Sequence, residues 1–213
     1  MNSSTPVNPW PLTGRLDGRL LYARSRGLPL ALLVLACLAL ATAWGAAGPA
    51  SFLDFERRVP VIAAAPLLAA AVIGTSLHEH SAELDRTAAR PWWLWRLVQI
   101  GALTALAAAA LALAVPGRAD LFGAAAMVRA TLGATGIAAA SATVLGARLS
   151  WLPGSAYIGA VYLRTPLRPG GAAEWWAWPM QPGPQDAAWT VAAVLFAGGT
   201  ALYALRGAKA EPT

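Results

Sequence analysis

The chain has 213 residues, of which 57% are hydrophobic and only 12% are charged, and its formal net charge is +6. Soluble domains carry about 25% charged residues, so this composition excludes a water-soluble globular protein. The polar stretches between the apolar blocks are too short for a separate soluble domain, and we expect one membrane domain. The arginines lie between these blocks, which favours lipid headgroups of the bilayer rather than nucleic acid as their partner.

Residues 1–27 precede the first apolar block. Apolar residues recur there at roughly helical spacing, Leu16 and Leu20 among them, while the arginines fall on another face. This pattern predicts an amphipathic helix on the cytoplasmic membrane surface, with a solvated basic tail as the alternative. A cleavable signal peptide is disfavoured, because the small residues at 41–43 follow an apolar run that is too long and begins too late.

Six apolar blocks follow, and each is predicted to form a membrane-spanning helix. About 20 residues are needed to cross a bilayer core of about 30 Å. The fourth block, at 27 residues, must tilt, kink or emerge from the membrane, and the fifth, at 13 residues, reaches only about 20 Å. The blocks are residues 28–47, 59–77, 94–115, 121–147, 151–163 and 188–205.

The distribution of charge indicates the number of crossings, since short cytoplasmic loops collect Lys and Arg. Six crossings with the N-terminus inside place ten basic residues in the cytoplasm and five outside. Five crossings would move Arg206 and Lys209 to the outer side. We therefore expect an all-α membrane protein with six transmembrane helices in residues 28–205, a cytoplasmic tail at 206–213 and both termini in the cytoplasm.

The loop between the second and third blocks, residues 78–91, is polar. Glu83 and Arg86 are three residues apart and Leu84 and Ala88 are four apart, which predicts a short polar helix with a small apolar ridge. A proline at position 91 ends this helix, and three tryptophans at positions 92, 93 and 95 indicate the headgroup level. Such a helix suits a cytoplasmic partner, and a solvated loop without a partner is the alternative.

Few residues of the sequence have side chains suited to catalysis or to metal binding. His78, Glu79 and His80 invite a metal-site interpretation, but residues two apart on a helix point to different sides, so a polar helix end is the better interpretation. The sequence has no Gly-x-Ser-x-Gly elbow, and it has no phosphate-binding loop because the only lysine, Lys209, follows an alanine. The one cysteine, Cys37, lies in an apolar run. We expect no enzyme activity, no metal and no cofactor in this chain.

Two features mark the outer side. The loop before the sixth block holds Trp175, Trp176 and Trp178, and we expect it to dip into the interface as one or two short helices buried against protein. A plain aromatic anchor is the alternative. Arg129 lies within the fourth block, where an arginine is a functional hypothesis by default, although outward snorkelling is the favoured interpretation. Small residues around Gly133 give the same block a face suited to close helix packing.

This layout resembles the membrane subunit of ABC-2-type ATP-binding cassette exporters, in a minimal form. The resemblance covers essentially the whole chain: an elbow helix before the first crossing, six crossings, a coupling helix between the second and third, and a re-entrant outer loop before the last. Its most motif-like stretch is ELDRTAARPWWLWR at 83–96. There an acidic residue, a leucine, a threonine with small residues and a basic residue lead into the third crossing, which is similar to the family's pattern.

The resemblance implies that this subunit performs no chemistry itself. Two membrane subunits, identical or different, pair around a central route, and separate ATPase subunits that bind ATP and Mg dock beneath them. By resemblance, residues that contact the ATPase are Glu79, Glu83, Leu84, Arg86 and Thr87, elbow residues that frame the docking groove are Leu16 and Leu20, and residues of a cargo route or outer gate are Arg129, Trp175, Trp176 and Trp178.

The cargo is expected to be amphiphilic, such as a drug, an antimicrobial peptide or a lipid, because the blocks contain few charges, and the expected location is a bacterial cell membrane. Two hypotheses of other classes stay open. A non-transporting accessory protein would bind a cytoplasmic partner through residues 79–90, and an intramembrane enzyme would use His78 and Glu79 with a bound metal. Changing Leu84 or Thr87 to aspartate separates the exporter from the accessory protein, because only the exporter loses coupling.

Overall fold

The computed structural model describes residues 28–47, 55–77, 92–115, 123–164, 175–181 and 183–209. Across these ranges the chain is entirely helical, with six α-helices, one short 3-10 helix and no strand. The α-helices are α1 (Leu28–Ala47), α2 (Phe55–Ser76), α3 (Trp92–Ala114), α4 (Gly123–Leu145), α5 (Trp151–Arg164) and α6 (Asp186–Arg206), and the 3-10 helix is Trp175–Met180.

Each predicted apolar block contains one α-helix, which confirms the all-helical prediction for the described residues. Two helices begin before their apolar blocks. α2 starts at Phe55 rather than at position 59 and takes Glu56, Arg57 and Arg58 into its first turn. α6 starts at Asp186, whose negative charge suits the positive N-terminal end of a helix. Helix ends therefore extend into charged residues that a hydropathy pattern leaves out.

The fourth block is shorter as a helix than as an apolar run. α4 ends at Leu145 after 23 residues, and Gly146 follows with a φ of +88°, a backbone conformation that favours glycine at a helix end. Residues 146–150 form the turn to α5, in which the Ser150 hydroxyl donates to the Ala147 carbonyl at 2.8 Å. The apolar run is thus a helix plus a turn, which removes the expected need for a tilt or a kink.

Three helices are long and apolar enough to cross a membrane, namely Trp93–Ala114, Gly123–Leu145 and Asp186–Arg206. α1 and α2 contribute shorter apolar stretches, Pro29–Gly45 and Ala64–Ser76. α5 has 14 residues and spans about 21 Å, against about 30 Å for a bilayer core. The described residues therefore include three helices that could span a membrane by length and composition, which is compatible with a membrane protein.

The surface of the single chain is strongly apolar. Trp44, Leu113 and Leu163 lie on three different helices and are 83, 81 and 87% exposed. Soluble monomers rarely expose large apolar side chains in contiguous patches, whereas lipid or another membrane subunit covers them at no cost. These exposed side chains agree with the apolar composition in placing the helices in a membrane environment.

α4 lies at the centre of the bundle and packs against α2, α3, α5 and α6. Its many Gly, Ala, Ser and Thr residues allow neighbouring backbones to approach closely. A Cβ atom on Gly136 would overlap with the Leu195 carbonyl of α6, and a Cβ atom on Gly199 would overlap with the Gly136 carbonyl. α4 and α6 are therefore in backbone contact near their middles.

The Ser and Thr hydroxyl groups in the described residues are hydrogen-bonded within their own helix or turn, with one exception. Every described Ser and Thr side chain other than Thr135 donates to a carbonyl three or four residues earlier. Thr135 of α4 is 1% exposed, and its hydroxyl has no hydrogen-bond partner among the described residues. Its neighbour Thr131, by contrast, donates to the Met127 carbonyl at 2.8 Å.

Contacts between helix termini define the two ends of the bundle. At one end the start of α3 meets the end of α6, where Arg96 donates to the Ala204 carbonyl at 3.4 Å. The end of α2 lies there as well, since the Tyr203 hydroxyl donates a long hydrogen bond of 3.5 Å to the Leu77 carbonyl. We call this the tail end, and the opposite end, where α4 and α6 begin, the cap end.

Candidate functional site

Residues 175–181 and 183–185, which precede α6, pack at the cap end of the bundle. Trp175–Met180 form a 3-10 helix that is interrupted at Ala177, where φ is −92° and ψ is 17°. Pro179 has no amide donor, which suits a short 3-10 helix better than a continuous α-helix. We call residues 175–181 and 183–185 the cap. It is the short helical segment that the sequence predicts before the last block.

Trp178 is the most deeply buried residue of the cap and is only 1% exposed. Its ring lies against Gly133 of α4, where a Cβ atom would stand 2.7 Å from Cζ3 and 2.9 Å from Cζ2. Ala188 and Ala192 of α6 pack against the same indole. Tyr157 of α5 is stacked with it, with ring centroids 6.5 Å apart. Small residues on two helices and one aromatic ring on a third thus form a socket for the indole.

This socket lies deep in the bundle. Gly133 follows the first residue of α4, Gly123, by ten positions, which is about 15 Å along a helix about 34 Å long. The indole of Trp178 therefore reaches close to the middle of α4. Backbone groups at this depth need hydrogen-bond partners from protein, because the hydrocarbon core of a membrane supplies none.

Side chains of three helices donate hydrogen bonds to carbonyls of the cap. The pairs are Arg129 Nη2 of α4 to Gln181, Tyr157 Oη of α5 to Trp176, and Trp189 Nε1 of α6 to Gly183 at 3.0 Å. Each bond satisfies a carbonyl in irregular backbone that has no ladder of its own. Together the three bonds attach the cap to α4, α5 and α6.

Arg129 is fully buried, at 0% exposure, so the predicted outward snorkelling is wrong. The side chain instead turns inward and donates to the Gln181 carbonyl just after the 3-10 helix. Carbonyls at the end of a helix lack intrahelical partners, and a guanidinium with five donors can supply one. The Gln181 carbonyl of the cap thus gives the guanidinium a hydrogen-bond acceptor inside the protein, which accounts for the inward orientation of the side chain.

The structure brings together three of the four residues predicted for the outer side. Trp176 and Trp178 lie in the cap and Arg129 of α4 donates a hydrogen bond to it, while Trp175 begins the 3-10 helix of the cap. The sequence indicates Gly133 only as a packing residue, and no spacing singles out Tyr157, whose partners follow it by about twenty residues across a loop. In the sequence, a tyrosine that precedes an aromatic segment by about twenty residues is a weak signal of contact between the two. Only the folded structure shows this contact.

The residues predicted to contact a cytoplasmic partner lie outside the described residues. These are Glu79, Glu83, Leu84, Arg86 and Thr87, together with the elbow residues Leu16 and Leu20 and the histidines His78 and His80. Their roles stay predictions. The structure does describe Leu77, directly before the segment at 78–91, and Arg96, in the second turn of the helix that follows it.

The tail end holds a second cluster, built around the last turn of α6. Arg96 reaches from α3 to the Ala204 carbonyl, and its guanidinium lies beside Gly207, where a Cβ atom would stand 2.9 Å from Nη2. Gly207 ends the helix with a φ of +75°. The amide of Lys209 then donates to the Ala142 carbonyl of α4 at 3.0 Å. The end of α6 is thereby attached to both α3 and α4.

No group of three or more His, Cys, Asp or Glu side chains that could hold a metal occurs in the part of the chain that the structure describes. Comparison of the chain with protein-family models, with curated proteins and with solved structures finds no match in any of the three. The arguments for function therefore depend on this chain's own residues, above all on the cap and on the attachments of α6.

Proposed function

We propose that the chain is the membrane-spanning permease subunit of an ATP-driven exporter of the ABC-2 type. In this proposal all six α-helices lie across a bacterial cell membrane, and a second permease subunit completes the translocation route. Separate ATPase subunits bind ATP and Mg and dock on the loop at 78–91. The observation that carries the proposal is the cap, an aromatic segment before the last helix that reaches the middle of α4 and is held by three helices.

The charges at the two ends support a cytoplasmic tail end. Among the described residues the tail end carries Arg96, Arg148, Arg206 and Lys209 and no acidic residue. The cap end carries acidic residues as well as arginines, at the start of α2 and α6 and at the end of α5. Acidic residues hardly influence orientation, so the basic residues decide it. Across the whole sequence, six crossings place ten Lys and Arg residues on the side of both termini and five on the opposite side, which favours both termini inside and the cap outside.

The character of the helices supports an amphiphilic cargo. Arg129 is the described charged residue farthest from a helix end, and its side chain is buried against the cap. The remaining faces of the helices offer mainly apolar and small residues. A hydrophilic sugar or an ion would find few polar partners on such a route, whereas a drug, an antimicrobial peptide or a lipid would not need them.

Purification of the tagged chain from its host in mild detergent tests the proposal. We expect an ATP-binding cassette protein to co-elute in a stoichiometric amount, with ATP hydrolysis that falls when Leu84→Asp is introduced. Ala82→Asp is the matched control, since residues two apart on a helix point to different sides and this change adds the same charge off the predicted contact face. A chain that elutes alone, or with a partner lacking ATPase activity, would support the accessory protein instead.

A further inference from the structure

Leu77, directly before the segment at 78–91, and Arg96, five positions after it, both contact the last turn of α6. Leu77 follows α2, and its carbonyl accepts the hydroxyl of the fully buried Tyr203. Arg96, in the second turn of α3, donates to the Ala204 carbonyl. A displacement of this segment therefore reaches α6 directly at Leu77, and through the first turn of α3 at Arg96.

At its other end, α6 holds the cap. Trp189 donates to the Gly183 carbonyl, one turn after the helix begins. Between the two ends, Gly199 brings α6 into backbone contact with Gly136 of α4, and α4 in turn holds the cap through its own side chains. Helices in such contact shift as a unit, because close-packed interfaces resist continuous deformation.

We propose that Arg96 is a positioning residue that couples the loop at 78–91 to the cap through the α4–α6 pair. The identity of the partner that moves the loop rests on the proposed function, whereas the mechanical connection is a property of this chain alone. Arg96 suits this role because its planar guanidinium fits beside Gly207, which has no side chain. It also places positive charge at the C-terminal end of α6, where the helix dipole favours it.

Hydrogen exchange of the purified full chain in lipid nanodiscs tests the connection without any partner. Arg96→Gln is expected to speed amide exchange about tenfold at 203–209 and also in the cap, about 30 Å away along α6. Arg96→Lys keeps the charge and is expected to recover part of the protection. Arg164→Gln removes an exposed arginine at the cap end and is the matched control, expected to leave both regions unchanged.

Two exchange patterns would overturn the proposal. Acceleration confined to 203–209 would make Arg96 a local helix cap, and uniform acceleration of all segments would show general destabilisation rather than coupling. If Arg96→Gln does not fold, Arg96→Lys serves instead, because it keeps the charge but lacks the planar guanidinium that lies beside Gly207. It is expected to affect the same two regions.

A second measurement separates this proposal from the proposed function. With ATPase subunits bound, Arg96→Gln is expected to hydrolyse ATP while moving about tenfold less cargo per ATP than the unaltered chain, and Arg96→Lys to recover part of this ratio. An unchanged ratio would overturn the coupling role of Arg96 even if the permease function holds. Absence of any bound ATPase would overturn the proposed function, and the exchange experiment on the chain alone would still decide on Arg96.

Discussion

The six-membered ring of Trp178 occupies the space that a side chain on Gly133 would fill. This relationship joins two residues 45 positions apart in the sequence and explains why an indole can enter the bundle to the middle of α4. Without a Cβ atom at position 133, α4 presents bare backbone to the ring, and dispersion contacts replace the missing side chain.

Gly133→Ala is expected to expel the Trp178 ring or to strain its surroundings, at a cost of about 1–3 kcal/mol in the free energy of unfolding. Thermal unfolding of the detergent-solubilised chain should show a lower midpoint, and hydrogen exchange in the cap should accelerate. Gly101→Ala is the matched control, since nothing lies within 4 Å of its Cβ position. Equal behaviour of the two variants would mean that the socket does not depend on Gly133.

Gly199→Ala and Gly198→Ala are expected to act in opposite directions. The Cβ atom at 199 would overlap with the Gly136 carbonyl and force α4 and α6 apart, which we expect to lower the free energy of unfolding by about 2 kcal/mol or more. The Cβ atom at 198 would meet nothing within 4 Å, so alanine should stabilise α6 by up to about 1 kcal/mol. Thermal unfolding of both variants checks this, and a harmless Gly199→Ala would contradict the backbone contact.

Tyr157→Phe removes the hydroxyl that bonds to the Trp176 carbonyl and keeps the ring that is stacked with Trp178. We expect a loss of about 1 kcal/mol and faster exchange of the cap, because a buried carbonyl loses its partner. Tyr157→Leu should cost more, since the stacked ring is lost as well. Comparing the two variants by thermal unfolding separates the hydrogen bond from the ring, and equal losses would assign the whole effect to the hydrogen bond.

Thr135→Val is expected to be neutral or to stabilise the chain slightly. The Thr135 hydroxyl is buried without a hydrogen-bond partner among the described residues, so replacing it by a methyl group removes an uncompensated polar atom. Thr131→Val is the matched control one turn away in the same helix, and it loses a hydrogen bond of 2.8 Å. A larger loss of stability for Thr135→Val than for Thr131→Val would indicate that the Thr135 hydroxyl has a partner after all.

Hydropathy and loop composition predict the helices of this chain well. The first block and α1 have the same bounds, and the other helices differ from their blocks by a few residues, where charged first turns or a glycine at 146 set the ends. Aromatic density before the last block predicts a short buried helical segment, which the cap is. These features are local, so a single sequence carries them.

Partners across the bundle are not predictable in the same way. The inward turn of Arg129 depends on a carbonyl at Gln181, 52 residues later, which no hydropathy pattern reveals. A single sequence shows that an arginine lies among apolar residues, and the general cost of burying a charge then favours an outward path. The socket on Gly133 and the attachment of Arg96 to α6 likewise arise from packing between helices distant in sequence.

α5 is about 21 Å long and stands beside α4, which is about 34 Å long. Its two ends carry Trp151 and Arg164, both exposed and both of types that settle at lipid headgroups. In the proposed permease, where α5 crosses the membrane, lipids that border this helix must compress toward its length, so the bilayer is thinner along one side of the protein. Membrane thickness then affects α5, which holds one side of the cap. Lipids with longer or shorter acyl chains change this thickness without any change in the protein.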